Sequence, residues 1–391
     1  MDATHLPEDA IKGASRCSQC NEPNCIGGCP CRSIFTGGHC PAGFSYLLPD
    51  LYLHQCSWHG NARRQKQFYF PVGILQQAVR VFDMKILIAD EVNPQCSSKL
   101  KAAGFDVTEK FDITGDELKN AINDYEILVV RSRTKVTKEI IDNGKKLKLI
   151  GRVGVGLDTI DTKAAEAAKV KVINTPQMST IAVAELVMTM MLNLVRSVHL
   201  ANESMKKGLW EKKRFHGMEL NGKTLGVVGF GRIGRSVAER SSAFGMKILA
   251  YDVMLDEATL KKIGGERVST IDELLRRSDI VTVHVPLMPE TVRMINAETL
   301  AQMKAGSFII NASRGEVVDT KALLDALKIK KIAGAALDVY EHEPPTEPHE
   351  VELIKMPNVI ATPHIGAQTG EAQVVGAIQM AENIINALKT L

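Results

Sequence analysis

Three side chains that could handle a carboxylate and a proton lie in the last third of the sequence: Arg314, Glu343 and His364. A guanidinium binds a carboxylate bidentately and polarises an adjacent carbonyl. A glutamate hydrogen-bonded to His364 would stabilise its imidazolium and raise its pKa, which suits proton exchange near neutrality. Taken one at a time, each residue has a non-catalytic interpretation: Arg314 as a surface ion pair, Glu343 as a loop carboxylate and His364 as a core histidine. Their shared place, just after strand-like runs, favours a catalytic set.

A glycine-rich loop precedes this set in the sequence. The strand-like run Thr224–Val228 leads directly into Gly229-Phe230-Gly231-Arg232-Ile233-Gly234, and a helical pattern follows. A GxGxxG motif between a strand and a helix is typical of dinucleotide binding. Gly229 permits the tight turn, Gly231 lets the backbone approach a pyrophosphate, and Gly234 lets helix and strand pack closely. The helix N-terminus then offers free N–H groups to the phosphates.

An acidic residue follows the next strand signal. Asp252 comes directly after Lys247–Tyr251, about 20 residues past the loop, where a carboxylate accepts hydrogen bonds from the adenosine ribose. Because a carboxylate there repels a 2′-phosphate, the sequence favours NAD over NADP. The alternative is a structural glycine turn with an incidental aspartate.

Strand and helix signals alternate from residue 84 onward, which predicts βαβ units in parallel sheets. We therefore predict an α/β protein with two doubly wound, Rossmann-like sheets. The strand signals are Lys85–Asp90, Glu126–Arg131, Leu147–Val153, Val170–Asn174, Thr224–Val228, Lys247–Tyr251, Ile280–Val285, Phe308–Asn311, Ile332–Leu337 and Val359–Ala361.

A long helix is predicted from Ser179 to Lys207, with Ser179 or Thr180 as its N-cap and Gly208 at its end. Its middle is apolar on most sides, so it is predicted to lie between layers or against a partner chain. A last helix is predicted from Gly370 to Leu388.

Length and charge exclude several classes of function. The 391 residues suit two domains and an appendage. The formal net charge is +3 with both signs interspersed, so a nucleic-acid partner is not expected. The apolar run Leu186–Val195 is too short to cross a bilayer. Residues 1–16 contain no apolar core of a signal peptide, so a cytoplasmic location is expected.

With these motifs in place, residues 84–391 resemble the D-isomer-specific 2-hydroxyacid dehydrogenases. Several segments carry the resemblance in the right order, namely Leu220–Gly226, Gly229–Gly234, His284–Leu287, Asn311–Gly315, Gly334–Val339 and Pro363–Ala367. It implies that Arg314, Glu343 and His364 are catalytic. It also implies that NAD contacts, besides the glycine loop and Asp252, the residues Val155, Arg232, Ile233, Val285, Pro286, Ala312, Ser313, Asp338, Gly366 and Ala367.

Within the family, the phosphoglycerate dehydrogenase branch is the closest likeness. Val130–Thr134 resembles its substrate loop, Gly151–Asp158 its carboxylate-binding turn, and Trp210–Phe215 its basic strand. A phosphate calls for several cations, and Arg131, Arg133, Arg152 and Lys212–Arg214 would supply them unless they are ordinary surface charges. The implied substrate-binding residues are Arg131, Ser132, Arg152, Gly154, Val155 and Gly156.

The resemblance also implies an organisation and a reaction. Residues 84–181 with 367–391 would form the substrate domain and 182–366 the NAD-binding domain, in a homodimer or tetramer with the long helix at the dimer interface. The implied reaction oxidises 3-phospho-D-glycerate to 3-phosphohydroxypyruvate, at the entry to serine biosynthesis. No appended regulatory domain for serine is expected after the last helix. The alternatives are a glyoxylate or hydroxypyruvate reductase, and a dinucleotide-sensing corepressor.

Residues 1–83 differ from the rest of the chain because they hold seven of the eight cysteines. Residues 8–30 resemble the cysteine-rich start of the glutamate synthase small subunit, with the spacing of an iron–sulfur or zinc segment at Cys17, Cys20, Cys25 and Cys29. The later cysteines do not continue that pattern. We therefore expect a degraded fragment or a start codon placed too far upstream, with Met84 as an alternative start. An electron-transfer fusion is the other reading.

Overall fold

The computed structural model describes residues 84–389. The poorly ordered extension and the cysteine segment predicted for residues 1–83 lie outside the described residues. Within the described part, two separate parallel β-sheets are covered by helices.

The first sheet has five parallel strands in the order β2-β1-β3-β4-β5. Its strands are β1 (Lys85–Ile88), β2 (Asp106–Glu109), β3 (Ile127–Val130), β4 (Leu149–Arg152) and β5 (Lys171–Asn174). The helices between them are α1 (Gln95–Ala102), α2 (Gly115–Ala121), α3 (Lys138–Asn143) and α4 (Thr162–Ala167). Every residue of β3 is fully buried, as expected of a central strand with helices on both faces.

The second sheet has seven parallel strands in the order β12-β11-β10-β9-β6-β7-β8. They are β6 (Thr224–Val228), β7 (Lys247–Tyr251), β8 (Glu266–Arg267), β9 (Ile280–Val283), β10 (Ser307–Asn311), β11 (Ile332–Leu337) and β12 (Val359–Ala361). The strand order reverses between β6 and β9. In open parallel sheets, ligands bind in the crevice beyond such a switch point, at the carboxyl ends of the strands.

Nine further helices complete the described chain. They are α5 (Thr180–Arg196), α6 (Val198–Lys206), α7 (Arg232–Ala243), α8 (Glu257–Lys262), α9 (Ile271–Arg277), α10 (Ala297–Gln302), α11 (Thr320–Lys328), α12 (Pro348–Ile354) and α13 (Gly370–Leu388). Helix α5 packs against α7, β10 and β11 of the second sheet, whereas α13 packs against α1, β4 and β5 of the first. The prediction of an α/β fold with two doubly wound parallel sheets is confirmed.

The prediction of one continuous helix from Ser179 to Lys207 is wrong. Helices α5 and α6 meet at a bend of 65°. The break is at Ser197, which has left-handed backbone angles (φ 48°, ψ 40°). There the side-chain oxygen of Asn193 accepts a hydrogen bond from the backbone N–H of His199 at 3.0 Å, so a side chain stabilises the start of α6 where the α5 hydrogen bonds stop.

A basic strand at Trp210–Phe215 is not found either, because Lys212–Arg214 forms a single 3₁₀ turn. The Glu211 carboxylate holds this turn by accepting hydrogen bonds from Ser204 Oγ at 2.9 Å and Arg214 Nη1 at 3.0 Å.

Within residues 84–389, no individual helix is both long and apolar enough to cross a membrane, and only the bent pair α5 and α6 passes that test together.

Candidate active site

The glycine loop lies at the switch point between β6 and β9. Gly229 has a φ of 93°, and a Cβ there would lie 2.7 Å from the carbonyl of His284. A Cβ on Gly234 would lie 2.0 Å from the Gly229 oxygen. Any larger residue at either position would push the loop away from the sheet or from α7.

The loop leaves room for a dinucleotide. Gly231 is the N-cap of α7 and provides no side-chain cap to the first-turn N–H groups. Apart from its chain neighbours, no atom of the described residues lies within 4 Å of the position that its Cβ would take, so the backbone is open to an anion. Asp252 borders the loop, where its carboxylate accepts from the backbone N–H of Phe230 at 2.6 Å. These residues fit the diphosphate and ribose of a dinucleotide.

A half-buried histidine directly after β9 lies against this loop. His284 Nε2 lies 2.9 Å from Thr282 Oγ1, and burial lowers the pKa of His284 to about 3. The side chain is therefore neutral, and its Nδ1 has no hydrogen-bond partner in residues 84–389. Next to it, Val285 is half-buried and Pro286 is exposed, at the mouth of the crevice where the sequence predicts cofactor contacts.

Glu343 and His364 form a hydrogen-bonded pair. The Glu343 Oε2 atom lies 2.8 Å from His364 Nδ1, and since a carboxylate only accepts, Nδ1 carries the proton. The hydrogen bond to Glu343 raises the pKa of His364, although burial opposes it. Burial works to raise the pKa of Glu343, but the hydrogen bond and charge of His364 outweigh it, so that pKa is lowered. The His364 side chain is 51% exposed and the Glu343 side chain 39% exposed, which leaves the pair open to a reactant.

Asp338 fixes the loop that carries His364. Its carboxylate accepts from Thr362 Oγ1 at 2.6 Å and from the backbone N–H groups of Ile365 and Gly366 at 2.8 Å each. The residue is only 1% exposed, and burial raises its pKa against these hydrogen bonds. Asp338 therefore holds the loop backbone, and Gly366, a predicted cofactor contact, is one of its partners.

Arg314 lies in the loop after β10. The buried side chain of Asn311 shapes this loop by accepting from Ser313 N at 3.0 Å and donating to the Arg314 carbonyl at 2.8 Å. The guanidinium reaches the turn after β4, where Nε and Nη2 lie 3.1 and 2.9 Å from Asp158 Oδ2. A residue of the second sheet thus meets the turn that follows a strand of the first.

The turn after β4 is shaped to admit this arginine. A Cβ on Gly156 would lie 1.9 Å from Arg314 Nη2, so the guanidinium occupies the space of a missing side chain. The turn is anchored to the chain after β5, because Gly154 N donates to Thr175 Oγ1 at 2.9 Å and Asn174 Nδ2 donates to the Val155 carbonyl at 2.5 Å.

Arg131 and Ser132 lie in a loop held by a buried carboxylate. Asp90, 2% exposed, accepts from Arg131 N at 2.5 Å and from Thr134 Oγ1 at 2.6 Å. Arg133 Nε lies 3.0 Å from the same carboxylate. The Arg133 side chain therefore stabilises the loop through its ion pair with Asp90, whereas Ser132 is exposed.

Arg152 is a half-buried cation for which the described residues provide no ion-pair partner. Its Nε is buried with no hydrogen-bond partner in the part of the chain that the structure describes. Burial lowers the pKa of Arg152, and the charges of Arg314 and Arg131 lower it further against those of Asp158 and Asp90. The positive charges of Arg314 and Arg131 thus both act on Arg152, which favours an anionic ligand there.

The structure does not bring every predicted cation to this cluster. Arg214 pairs with Glu211 at 3.0 Å and lies 5.6 Å from the Phe215 ring centroid. Lys212 and Lys213 are exposed beside it. The sequence did not predict Asp90, Asp158 and Asn311 as supporting residues. The available signal was their place in the loops that follow β1 and β4, or at the last residue of β10.

Comparisons with known proteins identify the relatives of this chain. Residues 188–366 match the model of the D-isomer specific 2-hydroxyacid dehydrogenase NAD binding domain. The D-3-phosphoglycerate dehydrogenase of Methanocaldococcus jannaschii is 45% identical over 306 residues, covering 78% of this chain and 58% of the relative. The hydroxypyruvate reductase of Thermotoga maritima is 48% identical over 273 residues, covering 70% of this chain and 88% of the relative.

A solved structure shares the fold as well. The D-lactate dehydrogenase of Aquifex aeolicus, complexed with NAD and lactic acid, has a TM-score of 0.69 and 32% identity, covering 78% of this chain and 96% of that one. This chain spans a little over half the length of the M. jannaschii phosphoglycerate dehydrogenase. The resemblance seen in the sequence motifs is confirmed, and the protein belongs to the D-isomer-specific 2-hydroxyacid dehydrogenase family, with the NAD-binding domain of that family in residues 188–366.

Proposed function

We propose that the protein is an NAD-dependent dehydrogenase that interconverts a D-2-hydroxy acid and its 2-oxo acid. The observation that carries the proposal is the hydrogen-bonded pair of Glu343 and His364, which shares one sheet edge with Arg314 and the glycine loop. An imidazole backed by a carboxylate can move a proton, and a guanidinium can bind an acid group.

In the proposed oxidation, His364 Nε2 accepts the proton of the substrate hydroxyl as the C2–O bond becomes a carbonyl. Glu343 stabilises the imidazolium that forms, because its carboxylate is ionised and bonded to Nδ1. Arg314 binds the substrate carboxylate and draws electron density from the C2 oxygen. NAD, held by the glycine loop and Asp252, would supply the acceptor for the C2 hydride, and its reduced form the hydride donor for the reverse direction. The reverse reaction requires the protonated imidazole.

We further propose 3-phospho-D-glycerate as the substrate and 3-phosphohydroxypyruvate as the product, a reaction that would supply serine biosynthesis. Arg131 and Arg152 support a phosphorylated substrate, since the charges of Arg131 and Arg314 both act on Arg152. The 45% identity to the D-3-phosphoglycerate dehydrogenase of M. jannaschii supports the same choice.

A second candidate is reduction of hydroxypyruvate. It is favoured by the 48% identity to the T. maritima hydroxypyruvate reductase, of which this chain covers 88%. This substrate needs the same three residues, Arg314, Glu343 and His364, but no phosphate cations.

The two candidates are separated by replacing Arg131 and Arg152 with methionine, one at a time. We expect KM for 3-phospho-D-glycerate to rise by about 10- to 100-fold, since a charge-assisted contact is lost, while KM for hydroxypyruvate stays unchanged. Steady-state kinetics with NAD(H) measure both. Arg276→Met, on the outer helix α9, is the matched control. An equal loss for both substrates would count against phosphoglycerate.

We also propose that the two sheets belong to domains with different binding roles. Residues 84–181 with the returning α13 would bind substrate, and residues 182–366 would bind NAD. The proposal is supported by the return of α13 to β4 and β5, and by the match of residues 188–366 to an NAD-binding domain.

A further inference from the structure

Glu350 is a buried carboxylate to which the proposed reaction gives no task. It lies in the first turn of α12, and its side chain has no exposed surface. Burying a carboxylate is costly unless hydrogen bonds replace its lost hydration. The contacts of Glu350 therefore indicate what the carboxylate stabilises.

All its hydrogen-bond donors come from the segment of residues 342–347. The backbone N–H groups of His342, Thr346 and Glu347 donate to it at 3.1, 3.2 and 3.1 Å. The His342 ring nitrogen Nδ1 lies 3.2 Å from both carboxylate oxygens. Glu343 lies inside this segment, so Glu350 holds the backbone on both sides of it.

We propose that Glu350 is a positioning residue, which fixes the segment of residues 342–347 so that the Glu343 carboxylate stays within hydrogen-bond distance of His364. The proposal rests on the proposed function, in which His364 moves the proton. Within residues 84–389, the other hydrogen bond to the Glu343 carboxylate comes from Tyr340 N at 3.3 Å, which is long. Since the Glu343 side chain is 39% exposed, packing alone does not fix it.

The charges around the pair make this support measurable. His364 faces Glu343 and Asp338, which raise its pKa, and Arg314, which lowers it, with the Glu343 hydrogen bond as the largest influence. Burial works to raise the pKa of Glu350, but the backbone hydrogen bonds from Glu347 and His342 outweigh it and hold that pKa low. Glu350 is thus ionised and accepts from all its neighbours.

A neutral amide cannot replace it, because the NH₂ group of a glutamine would face N–H donors. In Glu350→Gln the segment should loosen and the Glu343–His364 hydrogen bond should weaken. The pKa of His364 should then fall toward its ordinary value. Loss of fold stability alone would not shift the titration of His364 in the molecules that remain folded.

The test is a histidine-ring NMR titration of the full chain without NAD or substrate. The His364 signal is identified by its loss in His364→Gln, and Glu343→Gln sets the full effect. We expect Glu350→Gln to lower the His364 midpoint by about half a pH unit or more, short of the full effect. Glu352 lies on the same helix as Glu350, and its carboxylate pairs with Lys328 of α11 at 2.6 Å, so Glu352→Gln should leave the midpoint unchanged.

A second variant covers a failure of Glu350→Gln to fold. Glu350→Asp keeps the charge but withdraws it by one methylene from its donors, so an intermediate midpoint is expected. If both variants fold and both keep the wild-type His364 midpoint, the proposal is overturned. The same holds if only Glu350→Asp folds and it keeps that midpoint. Absence of turnover by the wild type on any D-2-hydroxy acid would refute the proposed function and leave the titration readable.

Discussion

Glu343 and Asp338 flank the loop of His364, and their surroundings give them different tasks. Glu343 is partly exposed and bonds to the imidazole ring, so its pKa is lowered by His364 despite burial. Asp338 is buried, and its oxygens are used by Thr362, Ile365 and Gly366. Glu343 therefore raises the pKa of the His364 ring, whereas Asp338 holds the backbone of the loop that carries it.

This assignment predicts how Glu343→Gln changes the pH dependence of oxidation. His364 must be unprotonated to accept the hydroxyl proton, so oxidation increases as the pH rises through its raised pKa. With a neutral partner that pKa falls, and the acidic limb of kcat should move to lower pH. We also expect kcat to fall by about 100-fold, because the imidazolium loses its counter-charge.

The measurement is kcat for oxidation between pH 5 and 9, on the scale where histidine titrates (about 6.5 unperturbed). Glu341→Gln is the control, since Glu341 lies just before Glu343 in the chain but faces Arg293 and the N–H of Thr320. An acidic limb that stays in place in Glu343→Gln would remove Glu343 from the role given to it.

The sequence could predict Arg314, Glu343 and His364 because each follows a recognisable strand. It could not predict their supports. Asp90 meets Thr134 across 44 residues, and Asp158 meets Arg314 across 156. Contacts at such separations depend on which strands become neighbours, and no local pattern of residue types records them.

At the scale of elements, the buried strands were predictable and the irregular ones were not. Apolar runs such as Ile280–Val283 reveal central strands. β8 is two exposed charged residues that pair only with the edge of β7 within the described chain, so it has no hydrophobic signal. The break between α5 and α6 also lacks a sequence signal, because Ser197 is neither glycine nor proline. The start of α6 is stabilised by a hydrogen bond to the Asn193 side chain, which no local pattern predicts.

The meeting of two loops, after β4 and after β10, gives a prediction for Gly156→Ala. The new Cβ would lie 1.9 Å from Arg314 Nη2, so the guanidinium must move while the fold around it need not. We expect kcat/KM to fall by about 100-fold, the order of loss for a displacement near 1 Å. Steady-state kinetics and a thermal unfolding curve measure the two effects.

Gly115→Ala is the matched control, because nothing lies within 4 Å of its Cβ position at the start of α2. It should keep wild-type kinetics. Full activity in Gly156→Ala would show that Arg314 does not need the position seen here.

At the scale of the whole molecule, one group of exposed apolar side chains among the described residues lies on α5, on α6 and just after them. They are Ile181, Val198, Met205, Leu209 and Trp210, exposed by 61%, 56%, 55%, 47% and 79%. Exposed apolar residues grouped in this way mark interaction surfaces. The predicted homodimer, with the α5–α6 region at its interface, would cover them.

The double variant Val198→Asp/Trp210→Asp tests this surface. Two charges placed in a desolvated interface leave uncompensated burial costs, so the dimer should dissociate while each chain stays folded. Light scattering after size exclusion should give the mass of two chains for the wild type and one for the variant. Ile329→Asp, at a residue 77% exposed beyond the end of α11, should remain dimeric. A monomeric wild type, or a variant that still pairs, would mean that something other than a second copy covers α5 and α6.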